Sequence, residues 1–497
     1  MTIELSNLTF TEQDDIVPGL GEEEIVNSGI ANTLAGDDQI TGTGGTYSIL
    51  NSGTLSTADG DDVITGVRTS PEENTIFGYG IYNERGTIDT GNGNDRIDGI
   101  IQTLEIEPFF GYGLYHKTGT IDTGEGNDVI NGSVSFTLQT RGYGIITESG
   151  AIINTGDGND SIQGAGRDGG FLNGFPNDIN NNPSIIETGK GEDLISASGP
   201  RGNGIMNYSI FNTGDDNDTI AGIGDYYGIY NVGFMDTGDG NDLIAGASTT
   251  GNFYKSGIYN HGSIETSDGN DTITGSGSYN VLNPNGIINH GIINTGNGED
   301  FITSQGVFTN IGGVFLGDAN DSLIVANAYF SNHAFKNYNT IETGNGNDII
   351  SSTGGIYNEG VIETGNGDDS IIVNGTGTGY GIYNNSGAII TGDGNDSIIA
   401  NEGFESGSNS SGAWFLGDGE DYIKGFGSGD FYGGNGNDTL ELTPGTYTVG
   451  IWGEGDTSVI FTKGDQLMIT SEFEKLIAGS TIYDFTSLTA GQIITVA

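Results

Sequence analysis

TGNGNDRIDG, residues 90–99, belongs to a motif with sixteen copies in this chain, written T-G-x-G-N-D-x-I-x-G. Other copies read TGEGNDVING from Thr123 and TGDGNDSIQG from Thr155. The fourth position is Gly in fourteen copies, and Asp216 and Ala319 are the exceptions. Successive sixth-position aspartates lie 17 to 33 residues apart. This irregular spacing favours coils of constant cross-section that are joined by loops of different lengths.

Two further elements alternate with this motif. The sequence GIYN begins at Gly80, Gly228, Gly257, Gly355 and Gly381, and segments such as GTIDTG follow it. Each element carries one central Ile in a short run bounded by Gly, Asn or Asp, which is typical of strands and turns. Three short strands per repeat predict an all-β fold, a right-handed parallel β-helix (β-solenoid) of about 16 coils. We expect the Asn that ends each GIYN-like element to form a hydrogen-bonded ladder at one corner.

The two ends of the chain differ from the repeats. Residues 1–32 alternate in polarity and predict an N-terminal capping segment, and residues 33–442 carry the solenoid repeats. Residues 443–497 lack the motif; TYTVGIW, TSVIFT, QLMITSEFEKLIAG and QIITVA predict a small cap of antiparallel β-strands. Such caps are expected because a bare terminal coil is an open sheet edge.

The composition narrows the possible functions. There are 67 acidic and 13 basic residues, for a formal net charge of −54, and 91 glycines. Nucleic acid is excluded as a partner because phosphate binding needs clustered Lys and Arg. No apolar run is long enough to span a bilayer, so membrane insertion is not expected. The absence of cysteine excludes disulfides and thiolate metal sites.

The sixth-position aspartates are the candidate metal ligands. Stacked coils would place these carboxylates about 5 Å apart, where neighbouring charges repel by about 3 kcal/mol at an effective dielectric near 20. A cation between them would remove this repulsion, and Ca2+ accepts six to eight oxygen ligands at flexible angles. Mg2+ fits less well because it demands octahedral geometry, and zinc or copper would prefer His or Cys. The predicted Ca2+ ligands are Asp38, Asp62, Asp95, Asp128, Asp160, Asp193, Asp218, Asp242, Asp271, Asp300, Asp321, Asp348, Asp369, Asp396, Asp421 and Asp438.

The motif resembles a known family. GGNGNDTLE, from Gly433 to Glu441, is similar to the nonapeptide G-G-x-G-x-D-x-U-x of the repeats-in-toxin family, the hemolysin-type calcium-binding repeats. The resemblance implies calcium held between successive turns by motif carbonyls and the sixth-position Asp. It also implies type I secretion from a bacterium, directed by an uncleaved C-terminal segment, for which Ser471–Ala497 is the candidate. Here one motif per longer coil replaces the family's back-to-back nonapeptides.

MTIELSNLTFTEQDD has no basic region followed by an apolar run, so we expect no N-terminal signal peptide. The resulting hypothesis is a secreted or cell-surface calcium-binding solenoid with a structural or adhesive role. Alternatives are a self-assembling extracellular fibre or surface-layer subunit, and an adhesin that binds surface polysaccharide. The adhesin would use the Tyr of GIYN (Tyr82, Tyr115, Tyr230, Tyr259, Tyr357 and Tyr383), although cross-coil stacking of these rings is the simpler interpretation.

An enzyme is not expected, because the carboxylates are repetitive instead of forming one unique cluster. His116 with Lys117 and His333 with Lys336 are the only basic clusters that contain a His, and we expect both in solvated loops. Gly-Asn-Asp turns can also be hydrogen-bonded corners that need no metal, which remains the alternative for any single copy.

Overall fold

In the part of the chain that the structure describes, the regular structure is β-strand, with short 3-10 turns at Leu5–Asn7 and Phe485–Ser487. The computed structural model describes residues 2–17, 23–69, 77–102, 109–135, 140–176, 182–249, 255–278, 284–326, 333–375, 381–407, 412–452 and 458–497. The chain divides into two compact units, Met1–Ser267 and Asp268–Ala497. Residues 18–22 of the predicted N-terminal cap and 453–457 of the predicted C-terminal cap lie outside the described residues.

The first unit is a stack of coils in which each coil gives one strand to each of three parallel sheets. The first sheet, which carries the GIYN-like strands, contains Thr2–Glu4, Glu24–Asn27, Tyr47–Asn51, Phe77–Asn83, Phe109–His116, Thr140–Thr147, Gly169–Asn173, Asn203–Asn207, Tyr227–Asn231 and Ser256–Asn260. The second sheet contains Ile30–Asn32, Thr54–Ser56, Thr87–Asp89, Gly119–Asp122, Ala151–Asn154, Ile185–Glu187, Ile210–Asn212, Phe234–Asp236 and Ser263–Glu265. The third sheet, which follows the motif Asp, contains Ile16–Val17, Gln39–Thr43, Val63–Arg68, Arg96–Ile101, Val129–Val134, Ser161–Ala165, Leu194–Gly199, Thr219–Gly224 and Leu243–Ser248.

The second unit repeats this arrangement. Its first sheet contains Asn285–Asn289, Val307–Asn310, His333–Asn337, Gly355–Asn358, Ile382–Asn384 and Phe404–Ser406. Its second sheet contains Ile292–Asn294, Gly313–Phe315, Thr340–Glu342, Val361–Glu363, Ala388–Asp393, Ala413–Gly419, Gly429–Gly436, Gly445–Ile451, Val459–Lys463, Gln466–Ser471 and Ile493–Val496. Its third sheet contains Thr272–Ser276, Phe301–Gln305, Ser322–Ala326, Ile349–Ser352, Ser370–Val373, Ser397–Ala400, Tyr422–Lys424, Thr439–Leu442, Lys475–Ala478 and Thr481–Asp484. The predicted all-β parallel solenoid is thus confirmed.

The core of each unit consists of ladders of Ile and similar side chains. In the third sheet Ile97 pairs with Ile64 on one side and Ile130 on the other, and all three are fully buried. In the second sheet Ile88 and Ile121 pair in the same way. Full burial of one such side chain stabilises the fold by about 1.5–3 kcal/mol, but only when the neighbouring coil is present.

The predicted Asn ladder forms at the corner after the first sheet. Asn207 Nδ2 donates to Asn231 Oδ1 at 2.9 Å, and Asn337 Nδ2 donates to Asn358 Oδ1 at 2.9 Å. The prediction that His116 lies in a solvated loop is wrong, because it ends a strand of the first sheet, is fully buried and takes an Asn position in this ladder. Its Nδ1 lies 3.1 Å from Asn83 Nδ2.

His333 also begins a strand of the first sheet, where it is half-buried, so the expectation of a loop is wrong there too.

The ends of the solenoid are built from both parallel and antiparallel strands. Thr2–Glu4 pairs in parallel with the next strand of the first sheet, so the N-terminal segment is itself part of a coil. At the other end the predicted antiparallel cap is present: Gly445–Ile451 pairs with Val459–Lys463 and Ile493–Val496. QLMITS and KLIA differ from the expectation, because they also pair in parallel with the last motif-bearing strands and so add one more coil.

Candidate metal centre

Each motif forms the turn between the second and third sheets. In Thr90–Asp95 the Thr and Asp side chains are buried, whereas Asn92 and Asn94 are exposed. Gly91 and Gly93 have φ of +82° and +149°, which a side chain rarely permits. Close packing also excludes a side chain, because a Cβ on Gly126 would lie 1.6 Å from the carbonyl oxygen of Gly93 in the preceding coil. The turns stack so closely that only glycine fits at most of these positions.

The copies that lack a motif glycine keep the same backbone. At the fourth position Asp216 has φ of +87° and Ala319 has φ of +112°. At the second position Leu34, Ala58 and Ser267 have φ between +60° and +70°. The turns of Asp218 and Asp321, which look weakest in the sequence, are therefore built like the others.

The sixth-position aspartates form a ladder within each unit. The backbone N–H of each Asp donates to Oδ1 of the Asp in the next coil: Asp128 N to Asp160 Oδ1 is 2.8 Å, and Asp160 N to Asp193 Oδ1 is 2.7 Å. The second unit has the same bonds, such as Asp348 N to Asp369 Oδ1 at 2.8 Å. All sixteen predicted ligands are at most 2% exposed. One carboxylate oxygen of each Asp is thus assigned to the backbone of its neighbour.

The second carboxylate oxygen is the unusual one. In fourteen aspartates Oδ2 is buried and accepts no hydrogen bond of normal geometry: Asp38, Asp62, Asp95, Asp128, Asp160, Asp193, Asp218, Asp300, Asp321, Asp348, Asp369, Asp396, Asp421 and Asp438. A buried acceptor without a partner costs about 1–3 kcal/mol, and more when it is charged. Native proteins leave few such groups, and a recurring one indicates an ion or water at that place.

Burial also makes these carboxylates hard to ionise. It raises the pKa of Asp62 to about 6 and that of Asp160 to about 7, from 3.8. Hydrogen bonding from the Thr at the first motif position and from the backbone N–H of the neighbouring Asp lowers the pKa of Asp160. The negative charge of nearby aspartates raises it again. Asp321 has Leu316 in place of that Thr, and burial raises its pKa to about 8. A positive charge beside these buried carboxylates would therefore stabilise their ionised form.

A cation at this turn would have to take much of its coordination from backbone oxygens. Among the described residues no three His, Asp or Glu side chains converge on one point. The residues that would hold Ca2+ are the sixth-position aspartates, through Oδ2, together with backbone carbonyls of the glycine turns. Ca2+ accepts such mixed oxygen ligands, whereas zinc and copper prefer nitrogen or sulfur.

One carboxylate that the sequence did not indicate joins the ladder. At the end of the second unit the N–H of Asp438 donates to Glu474 Oε2 at 2.7 Å. Glu474 lies in SEFEK, which has no glycine turn, so no motif marks it. Only the parallel pairing of Lys475–Ala478 with Thr439–Leu442 brings it to this position.

The tyrosines of the first sheet stack on one another across coils. The ring centroids of Tyr230 and Tyr259 lie 5.3 Å apart with planes at 15°, and those of Tyr357 and Tyr383 lie 5.5 Å apart at 23°. Each such contact occupies the face of a ring, which is the surface that would stack on a sugar.

The comparisons with known proteins give only distant structural similarity. No family model and no curated protein matches the chain. The crystal structure of a hyperactive, Ca2+-dependent, β-helical antifreeze protein from an Antarctic bacterium is similar over 80% of this chain and 82% of that chain, at 17% identity and a TM-score of 0.31. Because the likeness is this distant, nothing about function is drawn from it. Within the described residues there is no helix long and apolar enough to cross a membrane.

Proposed function

We propose that this chain is a calcium-binding β-solenoid of the repeats-in-toxin type, with one calcium-binding motif per coil. In this proposal the sixteen sixth-position aspartates hold Ca2+ and the protein acts outside the cell, secreted or on the cell surface. Its role is structural or adhesive, and it catalyses no reaction. Export by a type I system through the C-terminal segment follows from the resemblance of the motif.

The observation that supports calcium binding is the column of buried Oδ2 atoms. A buried carboxylate oxygen that accepts no hydrogen bond of normal geometry recurs at the same place in seven turns of each unit. In a metal-free corner this oxygen would be expected to turn towards a donor or towards water. A cation at each turn would satisfy it and would neutralise part of the net charge of −54.

Folding would then depend on calcium. Ca2+ binds the stacked turns and not the unfolded chain, so each occupied site stabilises the fold by about 2.7 kcal/mol at a hundredfold excess over Kd. Without the ion, burying so many carboxylates opposes stacking. The proposal therefore expects a solenoid that is stable in calcium and expanded in chelator.

The two alternatives from the sequence differ in their support. A glycan-binding surface built from the GIYN tyrosines is disfavoured, because the rings use their faces to stack on one another. A self-assembling fibre is compatible with the strands at the ends of the solenoid.

The test combines circular dichroism with calorimetric titration of the whole chain. We expect a cooperative β signal in millimolar Ca2+, a largely lost signal in chelator, and weaker rescue by Mg2+. Several calcium ions should bind per chain. The same β signal and melting temperature in chelator and in Ca2+ would refute the proposal.

A further inference from the structure

The ladder of aspartates in the second unit ends on a residue of a different kind. Asp421 N donates to Asp438 Oδ1 at 2.9 Å, and Asp438 N donates in turn to Glu474 Oε2 at 2.7 Å. The backbone keeps its register at this step. Lys475 N donates to Asp438 O at 2.9 Å, as Thr439 N donates to Asp421 O at 2.8 Å. Glu474 therefore takes the place that the next motif Asp would have.

We propose that Glu474 is a positioning residue that completes the last calcium-binding turn, Gly433–Asp438. This inference rests on the proposed function, and it assigns a residue of the C-terminal cap a role at the end of the ladder of aspartates. The role of Glu474 is to accept the hydrogen bond from Asp438, and it is not itself a calcium ligand. Its side chain is exposed, whereas the oxygens assigned to calcium are enclosed.

The physical reason lies in the backbone of Asp438. This residue is fully buried with Glu474 in place, so without Glu474 its N–H must either lose its acceptor or turn towards water. A hydrogen bond to a carboxylate is among the stronger ones, and a buried donor without an acceptor is costly. The turn that carries Asp438 Oδ2 would then shift to expose the N–H, and calcium binding there would weaken.

The effect should stay local. Asp438 Oδ1 still accepts from Asp421 in the variant, so the coil below keeps its own bond. At the start of the first unit no added acceptor is needed, since Asp15 N donates to Asp38 Oδ1 at 2.7 Å. The requirement for an added acceptor is therefore specific to the end at Glu474.

The test is amide hydrogen exchange in the full chain, read on a peptide that covers residues 434–442, with calcium titration beside it. In Glu474→Ala we expect the Asp438 amide to exchange at least about tenfold faster and one calcium site to weaken. Glu474→Gln keeps an acceptor oxygen, so exchange should return close to the wild-type rate. Glu472→Ala removes the same charge two residues away and should leave the exchange of Asp438 unchanged.

The outcomes separate this inference from the proposed function. Unchanged exchange in Glu474→Ala overturns it, and so does equally fast exchange in Glu474→Gln or Glu472→Ala. A wild-type chain that folds but binds no calcium refutes the proposed function and the calcium part of this inference. In that case the exchange rates still decide whether Glu474 holds the turn.

Discussion

Replacing Asp160 by Asn should have opposite effects on stability at low and at high free calcium. The substitution keeps Oδ1, so the N–H of Asp128 retains its acceptor at 2.8 Å. It replaces the buried, anionic Oδ2 by a neutral amide nitrogen. The hydrogen-bonded corner is thus preserved while the candidate calcium ligand is removed.

The size of each effect follows from the site. Burial raises the pKa of Asp160 from 3.8 to about 7. Without metal the ionised carboxylate therefore destabilises the folded state by up to about 4 kcal/mol above pH 7, and Asn relieves this cost. In calcium, Asn forfeits the site, which at a hundredfold excess over Kd is worth about 2.7 kcal/mol.

The assay is the melting temperature of both proteins, from the lowest free calcium at which wild type gives a cooperative β signal up to millimolar, with calcium stoichiometry by calorimetry. We expect the two curves to cross: Asp160→Asn melts at or above wild type at low calcium and below it at high calcium, with one ion fewer. Asp465→Asn, at an exposed hairpin turn, is the matched control and should follow wild type throughout. A variant that is destabilised equally at every calcium concentration would show that the carboxylate is only a structural acceptor.

Three further changes test other parts of the structure. His116 should make the fold sensitive to acid: burial lowers its pKa from 6.5 to about 4, so about 3 kcal/mol of stability, present above pH 6.5, is lost as pH falls towards 4. His116→Asn in saturating calcium should remove that loss from urea unfolding curves, and identical pH profiles would contradict it. Gly126→Ala places a Cβ 1.6 Å from a carbonyl and should cost about 3 kcal/mol or more, whereas Gly464→Ala, also at positive φ but with nothing within 4 Å, should cost about 1 kcal/mol. Removing Ser471–Ala497 should abolish export from a host with a type I system, and normal export of the shortened chain would argue against the C-terminal signal.

The repeated part of the fold could be predicted because each signal occurs many times. Ile97, Ile130 and Ile162 stand two residues after a motif Asp, and the same spacing puts all three in one buried ladder. His116 was misplaced because its neighbour Lys117 suggested a loop. In the structure His116 pairs with Asn83 of the neighbouring strand, and this pairing places it in the core. The sequence of a single repeat does not reveal which residues pair.

The candidate site likewise has a part that the sequence predicts and a part that depends on how the coils pair. The sixteen aspartates follow from the motif, and the structure places each of them in an equivalent turn of its unit. Which oxygen of Asp160 serves the backbone and which has no hydrogen bond depends on the offset between coils, and no single motif contains that information. Glu474 could not be predicted, because its position depends on a parallel strand that the sequence suggested was antiparallel.

The ladder of aspartates keeps the same hydrogen-bonded step in coils of different length. Asp421 and Asp438 are joined by a full hydrogen-bonded step although only 17 residues separate them, whereas Asp62 and Asp95 make the same step across 33. The longer coil also contributes Phe77–Asn83 to the first sheet, and the third-sheet strands on either side of it stay in register. Removal of residues 129–160 would therefore bring Asp128 opposite Asp193 in the ladder. A chain built in this way can gain or lose whole coils, or replace one loop by another, without redesign of its core.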